Sequence, residues 1–179
     1  MTSNVSSSHH FLIGVGSNLQ PEQHVPQIIQ QLVKRFRPIL VSRLCYTLPF
    51  ELQTKNRFIN FVAYFESVMT PQQVKAYFNH VEEKLGRDRS AANRRWVDRP
   101  ADIDILKVVT SQNWSDWLCD EAPKFCKTLA PYLQGMAQEV VGELCGKKAA
   151  LSDCPYFEVR LEQEFFGAHV YWVGDKISA

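Results

Sequence analysis

Two carboxylates, Asp102 and Asp104, stand one residue apart in an otherwise apolar run, Ala101-Asp102-Ile103-Asp104-Ile105-Leu106. In an extended strand, alternation sends both to one face and Ile103 and Ile105 to the other, which sets the carboxylates roughly 6–7 Å apart at Cβ. Two anions so placed repel each other unless a cation lies between them. Mg²⁺ suits such a pair, because it takes one or two carboxylates and fills its remaining positions with water and substrate phosphates. Taken alone, the pair reads equally well as a solvated strand face or as two carboxylates balanced by nearby arginines.

The segment before it, Gly86–Arg99, holds five arginines in fourteen residues: Arg87, Arg89, Arg94, Arg95 and Arg99. Guanidinium groups bind phosphate oxygens two at a time and do not lose their charge, so the segment suits a polyphosphate. A charge run is more often a solvated loop. Adjacency tips the balance, because an arginine loop feeding straight into an Asp-x-Asp strand puts an anion clamp and hard metal ligands in one place.

Other candidates are weaker singly. Glu82 and Glu83 close the helical stretch before the loop; either can reach a ribose or a metal, but exposed helical glutamate is the ordinary case. Asn60 lies in a hydrophobic run, where a buried amide needs partners and can read the edge of a heterocycle or serve a structural role. Trp96 either closes over a ring or anchors its loop. Gly14-x-Gly16 lacks the third glycine of a dinucleotide fingerprint. His80 has no evident catalytic partner.

These residues must be positioned by the elements around them. His10–Val15 puts Phe11, Ile13 and Val15 on one face of a strand and breaks at Gly14-Val15-Gly16-Ser17-Asn18, a tight turn. Val25, Ile28, Ile29, Leu32, Val33 and Phe36 recur at helical spacing over Gln23–Phe36, ahead of Pro38. Ile39–Tyr46 and Phe58–Glu66 read as strands, the latter buried on both faces. Thr70-Pro71-Gln72-Gln73 is a capping box that opens a helix, and Gly86 closes it. Ala101–Val108 is the next strand, expected on a central element of the sheet. The order βαββαβ is that of a ferredoxin-like α+β fold, an antiparallel sheet with two helices on one face. Beyond it, Glu121–Leu144 is helical in period and kinked or divided at Pro131; Tyr156–Glu164 and Ala168–Val173 read as a closing β-hairpin. Residues 1–9 are expected as a disordered tail and 10–179 as one domain, with its core over 10–108 and a C-terminal part over 109–179.

Composition narrows the classes. At 45% hydrophobic residues the chain can build one self-sufficient core. A net charge of +1 is poor for a non-specific nucleic-acid binder, so any basic site must be local. The five cysteines are odd in number, scattered and without metal-ligand spacing, which points to reduced thiols and a cytoplasmic setting. No apolar run is long enough to span a membrane. The sequence carries no signal of oligomeric state.

Together these strings resemble a known family. Ile13-Gly14-Val15-Gly16-Ser17-Asn18-Leu19, Phe58-Ile59-Asn60, and Glu82 followed by Leu85-Gly86-Arg87, Arg95-Trp96, Arg99 and Asp102-Ile103-Asp104-Ile105-Leu106 are similar to the motifs of 6-hydroxymethyl-7,8-dihydropterin pyrophosphokinases, in the same order over about residues 10–106. The resemblance implies that Asp102 and Asp104 bind two Mg²⁺ ions holding ATP, that the acceptor's hydroxymethyl oxygen attacks the β-phosphorus, and that AMP departs. It implies phosphate contacts from Arg87 and Arg99, and a nucleotide set of Glu82, Arg87, Arg89, Arg95 and Arg99. Thr47, Phe50, Asn60 and Trp96 fall to the pterin side or its lid; the resemblance assigns no aromatic from the downstream half, for which Phe125 is the candidate. The chain departs from the family pattern at Val97-Asp98, at Pro100, in an arginine loop about two residues longer, and in lacking a downstream Val-Pro-His-Pro-like segment.

Three functions follow: a pyrophosphokinase of folate biosynthesis; a divergent homologue that acts on another alcohol or only binds nucleotide or pterin; and a ferredoxin-like nucleic-acid module gripping phosphates with its arginine loop. The near-neutral charge and the carboxylate pair weigh against the third.

Overall fold

The strand expected at His10–Val15 extends over His9–Ser17 (β1), taking in the last residue assigned to the tail. This computed structural model describes residues 7–90, 92–93, 96–146, 156–157 and 170–173. Pro21 opens helix α1 (Pro21–Arg35), which turns Val25, Ile28, Ile29, Leu32 and Val33 inward and ends on Lys34 and Arg35, cations that complement the helix dipole.

The single strand read over Ile39–Tyr46 is two, β2 (Ile39–Val41) and β3 (Leu44–Thr47). They break at Ser42, whose hydroxyl accepts the Val62 N–H at 2.9 Å and whose own N–H donates to the Val62 carbonyl at 2.9 Å. The interruption lets Arg43 turn to Glu139. Strand β4 (Phe58–Ser67) is buried on both faces as expected. Helix α2 (Pro71–Lys84) begins with the capping box: Gln73 N–H to Thr70 Oγ1 at 3.3 Å and Thr70 N–H to Gln73 Oε1 at 2.8 Å. Gly86 follows its last turn at φ +99°, a left-handed conformation suited to glycine.

Strand β5 (Asp102–Thr110) pairs antiparallel with β1. The order β5-β1-β4-β2 is the ferredoxin-like arrangement, with β1 and β4 central. Strand β5 is thus a lateral strand and not the central element expected, because the chain returns from α2 to the free side of β1. One face carries Phe11, Ile13, Val15, Ile59, Phe61, Phe65 and Ile103 against α1 and α2.

The other face is covered by the C-terminal part. Here α3 (Ser111–Asp116), a π-helical turn (Trp117–Glu121) and α4 (Ala122–Cys126) precede α5 (Pro131–Leu144). Pro131 divides the helical stretch by starting α5, where its missing N–H costs nothing. Leu12, Val62, Val109, Trp117, Met136 and Val140 fill this second layer. Of the closing hairpin expected over Tyr156–Glu164 and Ala168–Val173, residues 158–164 and 168–169 lie outside the described residues, and the described parts do not pair with each other. Strand β6 (Tyr156–Phe157) runs antiparallel to β3, and β7 (Val170–Trp172) parallel to β2.

Candidate active site

The second helical layer covers only one end of its sheet face. At the other end the register sets Asp102, Gly16 and Asn60 side by side across β5, β1 and β4, and Asp104, Gly14 and Val62 in the next row but one. Side chains of these rows share the face on which α5 lies, as the period of two requires. Glycine at the middle of both rows keeps the floor between them low, with the Asn60 carboxamide oxygen lying over Gly16 and the Leu106 side chain over Gly14. The pair of glycines is therefore a floor, which explains why it lacks a dinucleotide fingerprint.

A cavity of about 390 Å³ stands on this floor, lined by Thr47, Phe50, Asn60, Trp96, Arg99, Asp102, Asp104, Tyr132 and Leu133 among others. That volume fits a small heterocycle. On the amide side, Asn60 Nδ2 donates to Thr47 Oγ1 at 2.6 Å, which fixes its carboxamide. Phe50 and Trp96 stand at the rim, 52% and 65% exposed. Phe50 meets Tyr132 at 5.8 Å between ring centroids. Burial, then the nearby carboxylates of Asp102 and Asp104, push the Tyr132 phenol above its ordinary range.

On the carboxylate side, Asp102 is gripped from two directions: Arg87 Nη1 lies 2.5 Å from Oδ1 and Arg99 Nη1 lies 2.9 Å from Oδ2. Asp104 is more exposed and meets Lys75 Nζ at 3.0 Å. Both readings of the carboxylate pair thus meet in one place, since it faces a cavity and is balanced by cations.

Glu82, read as an ordinary exposed glutamate, is instead completely buried beneath the loop. Its Oε1 accepts the Ile103 N–H at 2.7 Å and its Oε2 lies 3.0 Å from Arg87 and in contact with Arg89. Burial raises its pKa above the usual carboxylate value, outweighing the Ile103 N–H and the Arg87 charge. For Arg87, burial opposes the charged form, but Asp102 and Glu82 outweigh it and strengthen its hold on the proton. Glu82 thus aims Arg87 at Asp102 and is not itself in the cavity lining.

The loop's end is stapled to β1. Asn18, which the sequence marks only as part of a turn, takes the Arg99 N–H on Oδ1 at 2.8 Å and donates to Asp98 at 2.6 Å. Asn18 and Leu19 N–H groups both bond the Arg99 carbonyl, at 3.1 and 3.2 Å. Asp98, a departure from the family pattern, also binds Asn56, so the changed residue is locked to two asparagines.

The structure therefore gathers Thr47, Phe50, Asn60, Trp96, Arg99, Asp102 and Asp104 around one cavity, with Arg87, Arg89 and Glu82 behind it. Arg95 lies outside the described residues. Phe125 is not brought to the cavity: it packs edge-on to Trp117 at 5.8 Å, under Lys107. Tyr132, the second residue of α5, supplies the downstream aromatic wall. Its signal was its place just after Pro131, at the mouth end of a helix. Lys75 was also missed. Exposed His80 and Glu83 play no part.

The donor set suits Mg²⁺. Among the described residues no group of three His, Cys, Asp or Glu side chains could hold a metal. The protein offers two hard oxygens beside open space, and such a site must draw its remaining ligands from water and phosphate.

Comparison with known proteins agrees. The family model described as 7,8-dihydro-6-hydroxymethylpterin-pyrophosphokinase matches residues 12–129. Two curated proteins of Porphyromonas gingivalis (strains ATCC 33277 and W83), each named 2-amino-4-hydroxy-6-hydroxymethyldihydropteridine pyrophosphokinase, are 30% identical to the chain over 96 residues. The match covers 52% of this chain and 65% of each relative, so the chain spans just under two thirds of their length.

Proposed function

The chain belongs to the 7,8-dihydro-6-hydroxymethylpterin-pyrophosphokinase family, and on that premise we propose that it transfers a pyrophosphoryl group from ATP to the hydroxymethyl group of 6-hydroxymethyl-7,8-dihydropterin in folate biosynthesis. The observation that carries the reading is the row Asp102, Gly16, Asn60. It sets a hydrogen-bonding amide for a heterocycle across a glycine, which adds no side chain of its own, from a carboxylate pair and its arginines.

In this reading Asn60, fixed by Thr47, pairs with the pterin's edge, while Tyr132, Phe50 and Trp96 enclose its faces. Asp102 and Asp104 would hold two Mg²⁺ ions, whose chemistry is to neutralise phosphate charge and align the β-phosphorus. Arg87 and Arg99, 14% exposed each, are aimed inward and can transfer their hydrogen bonds from Asp102 to phosphate oxygens. The acceptor hydroxyl oxygen forms a bond to the β-phosphorus and gives up its proton to solvent, the bridging bond from the β-phosphorus to the α-phosphate oxygen breaks, and AMP leaves with that oxygen. Charge spread over phosphate oxygens calls for cations and alignment more than for a protein base. The inward aim of Arg87 and Arg99 also counts against a nucleic-acid platform, which needs its cations outward.

No described helix is long and apolar enough to cross a membrane; Cys45, Cys119, Cys126 and Cys145 are free thiols. These features accord with work in the cytoplasm. The test is incubation with ATP, Mg²⁺ and 6-hydroxymethyl-7,8-dihydropterin while AMP is followed. Pterin-dependent AMP that disappears in Asp102→Ala supports the reading. Binding of Mg·ATP without turnover sinks it in favour of a different acceptor.

A further inference from the structure

Because β5 is lateral, the backbone of Ile103 presents its N–H and carbonyl outward, between the two carboxylates. Both are met by side chains of α2. Glu82 Oε1 takes the N–H at 2.7 Å and Lys75 Nζ donates to the carbonyl at 2.9 Å. Residues 75 and 82 are seven apart, two helical turns, so they share one face of α2. A lysine over an unpaired strand carbonyl is ordinary edge protection. This lysine does more: the same ammonium lies 3.0 Å from Asp104 Oδ1, across from the arginine pair on Asp102.

We propose that Lys75 is a positioning residue of the phosphoryl-transfer site, a built-in counter-ion that competes with a divalent cation for Asp104 and so makes metal binding depend on nucleotide. The proposal rests on the reading of Asp102 and Asp104 as the metal pair. Lys75 holds Oδ1 of Asp104, and an ammonium and a divalent cation on one carboxylate repel each other, so metal capture is opposed by Lys75 and favours its release. Nucleotide phosphates offer the released ammonium a new anionic partner. Metal and nucleotide therefore bind with positive coupling, each relieving a charge the other leaves unpaired. Lys75 is 39% and Asp104 64% exposed, which lets the side chain swing without opening the core.

The test measures Mn²⁺ affinity of the full chain by electron paramagnetic resonance, with and without a non-hydrolysable ATP analogue. Lys75→Met is expected to bind Mn²⁺ alone about three- to fivefold more tightly than wild type, the upper range for a half-exposed ion pair. Its gain with the analogue present should be smaller, so the coupling falls. Lys75→Arg should stay close to wild type. Lys84→Met, which removes the same charge from the exposed last turn of α2, should change neither value. Unchanged or weaker Mn²⁺ binding in Lys75→Met, with wild type binding normally, overturns the role of Lys75 alone. If the wild-type chain binds no Mn²⁺ with or without the analogue, the metal pair itself fails and Lys75 with it. Thermal unfolding of each variant checks that the β5 edge is intact; a Lys75→Gln change serves if Lys75→Met does not fold.

Discussion

Gly16 and Asn60 face each other across β1 and β4 so closely that a Cβ built on Gly16 would collide with the Asn60 carboxamide oxygen. The glycine is required by the neighbour's side chain, not by its own backbone angles. Gly16→Ala should therefore push Asn60 off Thr47 and tilt the amide that reads the acceptor. Steady-state kinetics should show kcat/KM for the pterin falling about 100-fold, the scale of an ångström-size misplacement. Nucleotide affinity should stay within about twofold, and overpacking should cost about 1–3 kcal/mol of stability. A variant with normal pterin kinetics would remove Asn60 from acceptor recognition.

Glu82 holds three partners while fully buried, so removing it takes a buried anion from Arg87 and Arg89 and an acceptor from the Ile103 N–H. Glu82→Ala should lose about 3–5 kcal/mol in urea unfolding, the cost of breaking a buried pair from one side. Glu82→Gln keeps an acceptor for Ile103 and should lose less, yet both variants should weaken Mg·ATP binding by releasing Arg87. Loss of stability below about 1 kcal/mol in Glu82→Ala would mean the loop closes over the gap without it.

The helices and strands of residues 10–108 were legible because their signals are local: a capping box at Thr70, a glycine stop at Gly86, alternation in β1 and β4. The carboxylate pair was legible for the same reason. What could not be read depends on partners far apart in the chain. Nothing around Glu82 predicts burial, since its burial comes from Ile103 and the arginine loop folding over it. Nothing around Ser42 announces a strand break, which is set by Val62 on the opposing strand. Lys75 looks like any surface lysine until β5 is placed at the edge beside it.

His10 sits buried against Tyr64 and Trp114, its ring nitrogens 2.7 Å from Tyr64 Oη and 3.1 Å from Ser111 Oγ. Burial lowers its basicity, against the opposing pull of Glu66. A lowered folded value means the unfolded chain binds the proton more readily. The contribution is thus fully present above the ordinary value of 6.5 and is lost as pH falls through the folded value. Urea midpoints should drop between pH 7 and pH 5.5, ahead of most carboxylate titration. His10→Gln should flatten that slope; an unchanged slope would place the pH response elsewhere.

Tyr132 and Phe125 separate the structural reading of the downstream aromatic from the one made on sequence. Tyr132 lines the cavity beside Asp102 and Asp104, whereas Phe125 packs on Trp117 away from it. If the ring of Tyr132 lies against the bound heterocycle, Tyr132→Ala should raise the acceptor KM by about ten- to 100-fold, the range for losing one stacked ring. Tyr132→Phe keeps the ring and should stay within about threefold, because the phenol has no described hydrogen-bond partner to lose. Phe125→Ala should leave acceptor KM unchanged and instead lower stability by about 1–3 kcal/mol, since it removes packing from Trp117 in the second helical layer. Fluorescence titration of the pterin into each variant reads the binding directly, independent of turnover. The reverse pattern, with Phe125→Ala losing the pterin and Tyr132→Ala keeping it, would mean that α4 and α5 rearrange around the acceptor, and would return the aromatic wall to Phe125.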